Sequence, residues 1–386
     1  MRHTDRLVSR QPIYGATMNV AAYELRSNEF PVFQLFTEPA LDLLVGEHAG
    51  LINLTPQALA EDVWKSIPKS RVTLGYFHDF GPRVEAAGRL IDVAAQGYRL
   101  ALSGELKLES LQLLERATHT IKLNVTRYKP DQLEKRVTEL RTLKPKILAS
   151  NVDTYDDLEF CKSLEFDFYQ GHFLSRPAAQ KNEIAVNRMT MIRLLSKLHD
   201  PRMPVTEIEE LVSQDISLSY KLLRYSNSPV VSLPRTVYSV AHAVRLVGME
   251  MLRTWSSALL LSSVENKPRE LMTIALVRAR MCELLGESLR GTEKESFLSA
   301  GLLSVLDALL DCPMQQILAE LPLTEDVKQA LIHRYGAIGQ ALRCTIAYER
   351  ADWDDVQFYG MPARPIREKY MEAIFWARQL SSGLLN

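Results

Sequence analysis

The segment THTIKLNVTRYKPDQLEKRVTELRTLKPKILAS, residues 118–150, contains one complete strand–helix–strand unit. Thr120–Leu123 and Lys146–Ala149 are short apolar runs of strand length, and Asp131–Leu143 between them has the spacing of an amphipathic helix. A crossover helix of this kind joins parallel strands, because a tight hairpin turn cannot do so. The segment therefore predicts a parallel sheet with helices packed outside it.

The same alternation extends over residues 11–175, on both sides of this unit. Pro82–Ala95 has a second helical pattern. Further strand-like runs occur at Asn19–Glu24, Gly50–Leu54, Arg71–Leu74, Tyr98–Leu102 and Phe166–Tyr169. Repetition of this length predicts closure into a TIM-like (β/α) barrel. Because the region is short for eight full units, we expect some of the outer helices to be trimmed.

The alternation stops at SRPAAQKNEIAVNR, residues 175–188, which is polar and contains a proline. After this segment, nearly every stretch has helical periodicity and the breaks fall at prolines. We therefore expect two domains, a barrel over residues 1–180 and an all-helical domain over residues 181–386. The total length supports this division, since 386 residues exceed one ordinary core.

Composition excludes several classes of protein. The formal net charge of −1 gives no strong nucleic-acid signal. The four cysteines are far apart in the sequence, which indicates buried free thiols in a reducing compartment. No apolar stretch approaches the ~20 residues of a membrane span, and the first residues have no signal-peptide pattern. We expect a soluble cytoplasmic protein with no membrane contact.

Five short motifs in the first half follow the order found in the EAL family of cyclic di-GMP phosphodiesterases. They are QPI at 11–13, AYELR at 22–26, LINLTP at 51–56, THTIKLN at 118–124 and YQGHFLSRP at 169–177. The first half therefore resembles an EAL domain over about 165 residues. The resemblance implies a TIM-like barrel with a two-metal site at the C-terminal strand ends.

Only some functional positions of the family are kept. The positions that match its motif are Glu24, Asn53, Lys122, Asp153 and Gln170. Where the resemblance expects further acids, this chain has Gly75, Ser103, Gly104, Asn124 and Ser150. One carboxylate, one amide and a distant aspartate are a poor donor set for two divalent ions, which need several anionic oxygens. The resemblance is to a degenerate EAL domain, and we expect no catalytic residue, metal or cofactor.

Ligand binding is a separate question from turnover. The arginine by which the family contacts phosphate falls on Asn28. Arg26 shares a strand face with Glu24 because side chains alternate with a period of two, so a phosphate contact stays open. A surface arginine at a strand end is the favoured reading of Arg26. Cyclic di-GMP is accordingly the less favoured partner.

The second half resembles the HDOD family, a non-hydrolytic relative of HD-type phosphohydrolases. The resemblance rests on QDISLSYKLLRYSNS at 214–228 and TVYSVAHAVRLVGMEML at 236–252. The motif residues are Asp215, Lys221, Asn227, Ser228 and Gly248. A metal-binding relative would have a His-Asp pair where this chain has Ser304 and Val305. We expect no metal in this domain either.

Two enzyme-like scaffolds without their metal ligands favour a regulatory role. The first hypothesis is a non-catalytic bacterial signalling protein that acts through contacts with other signalling proteins. The alternatives are a cyclic di-GMP receptor that does not hydrolyse its ligand and a residual cyclic di-GMP phosphodiesterase. A homodimer is an open possibility, since related barrels often pair through an edge.

Overall fold

A computed structural model describes most of the chain. The residues outside its description are 1–5, 29–37, 78–83, 179–185, 201, 205, 208–209, 211–219, 221, 225, 228–235, 263, 265–266, 292 and 385–386. The chain divides into two compact units. Residues 1–174 with 349–353 form the first, and residues 175–348 with 354–386 form the second.

The first unit is a closed barrel of eight strands in sequence order. The strands are Val8–Gly15 (β1), Val20–Ser27 (β2), Ala49–Asn53 (β3), Val72–Tyr76 (β4), Arg99–Ser103 (β5), Thr118–Asn124 (β6), Lys146–Ser150 (β7) and Phe168–Gln170 (β8). β1 is antiparallel to both of its neighbours, and the other strands pair in parallel. The predicted barrel is confirmed.

Helices connect the parallel strands. They are Glu38–Val45 (α1), Pro56–Ala60 (α2), Val84–Ala95 (α3), Leu108–Leu113 (α4), Pro130–Leu140 (α5) and Tyr155–Ser163 (α6). α2 has five residues and α4 has six, so the trimming expected from the length falls on these two helices. The sheet itself has all eight strands, one more than the seven predicted from the sequence.

The missing strand was β1. Its sequence VSRQPIYG contains adjacent polar residues and Pro12, which cannot donate to a sheet and demotes a strand pattern. The polar residues are nevertheless buried, and Arg10 Nη1 donates to the Leu44 carbonyl at 2.6 Å. Hydrophobic periodicity does not detect this strand, because three consecutive buried polar residues, Ser9, Arg10 and Gln11, separate Val8 from Ile13.

The barrel interior is layered along the strands. Ile13, Leu51, Ala101 and Leu148 form a buried central cluster. Inward positions two residues further along the parallel strands form the layer at their C-terminal ends, which we call the mouth. Inward positions two residues earlier form the layer at the N-terminal ends, which we call the base. Each strand therefore contributes to both ends.

The second unit is helical. Its described helices begin with Val186–His199 (α7), Val240–Val247 (α8), Met249–Ser262 (α9), Arg269–Gly286 (α10), Lys294–Leu303 (α11), Leu306–Leu310 (α12) and Met314–Ala319 (α13). They continue with Glu325–His333 (α14), Gly336–Arg350 (α15) and Ala363–Leu384 (α16). α10 packs against α11 and α16. The all-helical second half is confirmed.

All four cysteines are buried and free, as the sequence predicted. Among the described residues, no helix combines the length and the apolar character that crossing a membrane requires.

Candidate functional site

Glu24 lies at the barrel mouth, on β2, with its side chain buried. Its Oε1 accepts a hydrogen bond from Nζ of Lys122 on β6 at 2.5 Å. Its Oε2 accepts from Nε2 of Gln170 on β8 at 2.8 Å and from Nε of Arg26 at 3.1 Å. Three strands thus bring four side chains into one polar network, which we call the Glu24 cluster. Arg26 shares the strand face of Glu24, as the period of two predicted.

The charges of the Glu24 cluster keep its carboxylate ionised. Burial alone would raise the pKa of Glu24, but the charges of Lys122 and Arg26, with hydrogen bonds from Lys122 and Gln170, lower it to about 2. Burial lowers the pKa of the Lys122 ammonium, and the attraction of Glu24 opposes that change. Within the cluster, the carboxylate of Glu24 pairs with two cations, Lys122 and Arg26, so the net charge of the four side chains is positive.

Phe77 fills the space beside Gly75, one of the positions where the EAL resemblance expects an acid. A Cβ atom added to Gly75 would lie 2.6 Å from Cζ of Phe77. The ring also packs on the central cluster, and its centroid is 4.8 Å from Nζ of Lys122. At this distance the ring face attracts the ammonium group. A longer side chain at position 75 would displace the ring.

Two other replaced positions have local structural roles. Oγ of Ser150 donates to the Leu123 carbonyl at 3.1 Å, which ties β7 to β6. Oδ1 of Asn124 accepts from the main-chain N–H of Thr126 at 3.1 Å and caps the turn after β6. These hydrogen bonds join Ser150 and Asn124 to the main chain and not to the Glu24 cluster.

The pair Ser103 and Gly104 ends β5. Oγ of Ser103 accepts from the main-chain N–H of Glu105 at 3.3 Å. Glu105 in turn pairs with Arg127 at 2.7 Å. A Cβ atom on Gly104 would lie 2.9 Å from Cδ1 of Leu123, so this position favours glycine by its close packing.

Asp153 lies after β7. It forms hydrogen bonds with His172 and is not part of the Glu24 cluster. Its Oδ1 accepts from the main-chain N–H of His172 and lies 3.1 Å from Nδ1 of the same residue. The other ring nitrogen is 3.5 Å from Nε2 of Gln11. Burial lowers the pKa of His172, while hydrogen bonding to Asp153 opposes that change. Asp153 therefore positions an imidazole beside the mouth.

Three buried amide oxygens accept no hydrogen bond within the described part of the chain. They are Oδ1 of Asn53, Oε1 of Gln11 and Oε1 of Gln170. Buried polar atoms normally have partners, so these oxygens are available to donors from water or from a bound molecule. Within the Glu24 cluster, Gln170 donates through its amide nitrogen, and its oxygen accepts no hydrogen bond from the described residues.

Phe77 and His172 lie at the mouth but were not among the predicted site residues. Both follow an inward position by two residues, Phe77 after Gly75 and His172 after Gln170. The period of two was the signal that could have indicated them. Their contacts depend on barrel closure and could not be derived from spacing alone.

The HDOD motif residues are only partly described. Asp215, Lys221 and Ser228 lie outside the described residues. Asn227 clamps the main chain of Val237: Oδ1 accepts from its N–H at 2.7 Å, and Nδ2 donates to its carbonyl at 2.8 Å. Gly248 joins α8 to α9 with φ of +85°, a conformation that favours glycine. These two residues have structural roles.

Comparison with known proteins supports this architecture. The HDOD domain family matches residues 186–325. The Vibrio cholerae protein named cyclic di-GMP phosphodiesterase CdgJ is 27% identical, over 97% of this chain and 93% of its own length. The uncharacterized Bacillus subtilis protein YuxH is 25% identical, over 97% of this chain and 98% of its own.

Two solved structures are similar to part of this chain. The PaMucR phosphodiesterase in complex with c-di-GMP covers 45% of this chain and 97% of its own, at 17% identity and a TM-score of 0.38. A standalone EAL protein from Vibrio cholerae in its c-di-GMP-bound form covers 45% of this chain and 92% of its own, at 13% identity and a TM-score of 0.34.

The chain has the two-part architecture, a barrel followed by an HDOD domain, that its sequence resembles. An EAL-type barrel comes first, and an HDOD domain occupies the matched residues 186–325. Both parts of the resemblance found in the sequence are confirmed. Its similarity to CdgJ and YuxH extends along nearly the whole chain.

One expectation is corrected by these relatives. The lost acids led us to expect a chain that is not an enzyme, yet CdgJ aligns over 97% of it and is named a phosphodiesterase. The expectation was wrong because motif positions report which residues stand at strand ends, and they do not measure turnover.

The described residues do not fit the two-metal centre that the EAL resemblance implies. Two cations already contact the carboxylate of Glu24, and they would repel a divalent ion. In the described part of the chain, no group of three or more His, Cys, Asp or Glu side chains is placed to hold a metal. The Glu24 cluster is instead suited to anions.

Proposed function

We propose that the chain is a regulatory protein of cyclic di-GMP signalling whose barrel mouth binds the phosphates of this nucleotide. The observation that carries the proposal is the positive net charge of the Glu24 cluster, where Lys122 and Arg26 both pair with the carboxylate of Glu24. Hydrogen bonds between such cations and phosphate are short and strong. The name of CdgJ supports the choice of nucleotide.

The donors needed for phosphate are present in the cluster. An ammonium group has three N–H bonds and a guanidinium has five, and Glu24 engages one from each of Lys122 and Arg26. The oxygens of Asn53 and Gln170 can accept hydrogen bonds from base or sugar donors of the same ligand. The cations and the amide oxygens of the mouth can therefore bind different parts of one ligand, cyclic di-GMP.

Calorimetric titration of the full chain with cyclic di-GMP tests this proposal. We expect saturable binding that weakens at least about tenfold in Lys122→Met, because a buried charge contact to phosphate is lost. Lys65→Met is the matched control, since Lys65 is exposed and pairs with exposed Asp62. Absence of binding by the wild type, or equal losses in the two variants, would contradict the proposal.

Hydrolysis of cyclic di-GMP is the second candidate function. The similarity to CdgJ over nearly the whole chain favours it. Incubation with the nucleotide and Mn²⁺ or Mg²⁺, followed by chromatography, measures turnover. If the mouth is the active site, Glu24→Gln abolishes product formation and the exposed control Asp62→Asn leaves it unchanged. Product formed equally by Glu24→Gln would exclude the mouth as the site.

We also propose that the helical unit transmits the signal through contact with other signalling proteins. Within the residues matched by the HDOD family, Tyr220 is 62% exposed and Tyr238 is 78% exposed. Exposed aromatic side chains are enriched at protein interfaces.

Sedimentation first establishes whether the chain is a homodimer. A partner captured from the native host by the wild type should be lost with Tyr238→Ser and kept with Tyr359→Ser, outside the match.

A further inference from the structure

The base of the barrel contains a cavity of about 440 Å³, which we call the base cavity. Its floor includes the central cluster residues Ile13, Leu51, Ala101 and Leu148. Its walls include Ala22, Ala49 and Thr73. Ligand sites commonly have volumes of about 300–1,000 Å³ and mostly apolar walls. The base cavity has both properties.

Small side chains at inward positions leave this space. Barrels of this type usually fill their interior with layers of bulky branched residues. Here Ala49 precedes Leu51 by two residues, and Thr73 holds the equivalent position on β4. At the same level β5 and β7 carry Arg99 and Lys146, which are exposed. The side chains of this lowest layer therefore do not fill the interior of the barrel.

The rim of the base cavity is cationic. Its ionisable lining residues are Arg99, His119, Lys144 and Lys146, and all four are exposed. The described lining includes no acidic residue. Nζ of Lys146 lies 5.3 Å from the ring centroid of Phe168, which is part of the wall. A positive charge thus stands directly beside apolar surface.

Neighbouring groups leave the charges of Arg99, Lys144 and Lys146 available. Nη2 of Arg99 donates to the Ser70 carbonyl at 3.3 Å, a neutral partner. The nearby Glu115 accepts from the main-chain N–H of Lys144, not from its ammonium group. No carboxylate of the described residues forms an ion pair with the rim side chains of Arg99, Lys144 or Lys146.

We propose that the base cavity binds a free amphipathic anion, a medium-chain fatty acid whose tail enters the cavity and whose carboxylate meets the cationic rim. A cavity of about 150 Å³ holds benzene, so 440 Å³ has room for a tail of roughly ten carbons. A nucleotide fits poorly, because the floor residues Ile13, Leu51, Ala101 and Leu148 offer no side-chain hydrogen bond to the edges of its base.

The central cluster separates this site from the Glu24 cluster, so the two can be tested independently. Calorimetric titration of the full chain with decanoate, below its micelle concentration, should show saturable binding with one site per chain. Butyrate should bind at least about tenfold more weakly, because it buries less apolar surface. Decyltrimethylammonium should not bind, because the rim repels its charge. Glu24→Gln should leave decanoate binding unchanged.

Two variants locate the ligand. Ala49→Leu fills the cavity and should weaken decanoate binding about tenfold or more, while Ala60→Leu on the exposed surface of α2 should not. Lys146→Ala changes an exposed side chain and keeps the test valid if Ala49→Leu fails to fold; it should weaken binding several-fold, with Lys65→Ala as control.

The proposal is overturned by any of three results: no saturable binding of decanoate, equal binding of the cationic amphiphile, or undiminished affinity in both cavity variants. Binding to vesicles of anionic phospholipid without binding to decanoate also overturns it, because the source would then be a membrane surface.

Discussion

Nζ of Lys122 on β6 lies 2.5 Å from Oε1 of Glu24 on β2, and this ion pair links two strands that are not neighbours in the sheet. Both side chains are largely buried, with 14% and 6% of their surfaces exposed. A buried pair costs free energy through desolvation and recovers it through attraction and hydrogen bonds. Loss of one partner is therefore more damaging than loss of both.

Lys122→Met tests this asymmetry. It leaves Glu24 buried with Arg26 and Gln170 as its remaining partners, and we expect the free energy of unfolding to fall by about 2–4 kcal/mol. Adding Glu24→Gln should restore part of that loss, since an amide is cheaper to bury than a carboxylate. Urea unfolding measures both variants. Lys65→Met should cost less than about 1 kcal/mol, because its pair is exposed. A double variant no more stable than Lys122→Met would contradict this account.

Acid should weaken the barrel through Glu24. Its pKa is about 2 in the folded chain against an ordinary value of 4.5, so its stabilising effect is complete above pH 4.5 and disappears as the pH falls towards 2. The difference corresponds to about 3 kcal/mol. Unfolding midpoints in urea at pH 6 and pH 3 should therefore differ more in the wild type than in Glu24→Gln. Equal pH dependence in the two proteins would show that another group is responsible.

The contact between α10 and α11 depends on Gly301. A Cβ atom there would lie 2.4 Å from the carbonyl oxygen of Arg278, so Gly301→Ala forces the helices apart. We expect a loss of about 2–3 kcal/mol in the free energy of unfolding. Gly88→Ala, at an exposed position of α3 with no atom near the new methyl group, should be neutral or stabilising by up to about 1 kcal/mol. Thermal unfolding compares the two, and equal behaviour would refute the close packing.

The cysteines should react slowly in the native chain. Burial raises the pKa of the thiols of Cys161, Cys282 and Cys344 to about 12, and Cys312 is also buried. Because the thiolate is the reactive form, an aromatic disulfide reagent at pH 8 should label less than about one thiol per chain within minutes. All four should react in guanidinium chloride. Rapid native labelling would show that a thiol is accessible.

The sequence predicted the barrel well wherever periodicity was hydrophobic. The unit around Asp131–Leu143 was found because its two strands are apolar and its helix is amphipathic. β1 was missed because the buried polar residues Ser9, Arg10 and Gln11 interrupt its apolar residues, and the partners of such residues are distant in sequence, as Leu44 is from Arg10. Local periodicity carries no information about such partners.

The same limit applies to the candidate site. Glu24, Lys122 and Gln170 were singled out by their motifs, but their mutual hydrogen bonds span 98 and 146 residues of chain. Only closure of the barrel creates those contacts. The ring of Phe77 in the space beside Gly75 has the same origin, since a missing side chain does not reveal which neighbour fills its place.

Glu24 and Ala22 lie two residues apart on β2, one at the mouth and one in the wall of the base cavity. A strand rises about 3.3 Å per residue, so about 7 Å of backbone separates the two positions. A small slide of β2 along its axis would alter both ends of the barrel together. If ligands at the two ends each favoured one setting of that strand, thermodynamic reciprocity would require each to change the affinity of the other by the same factor.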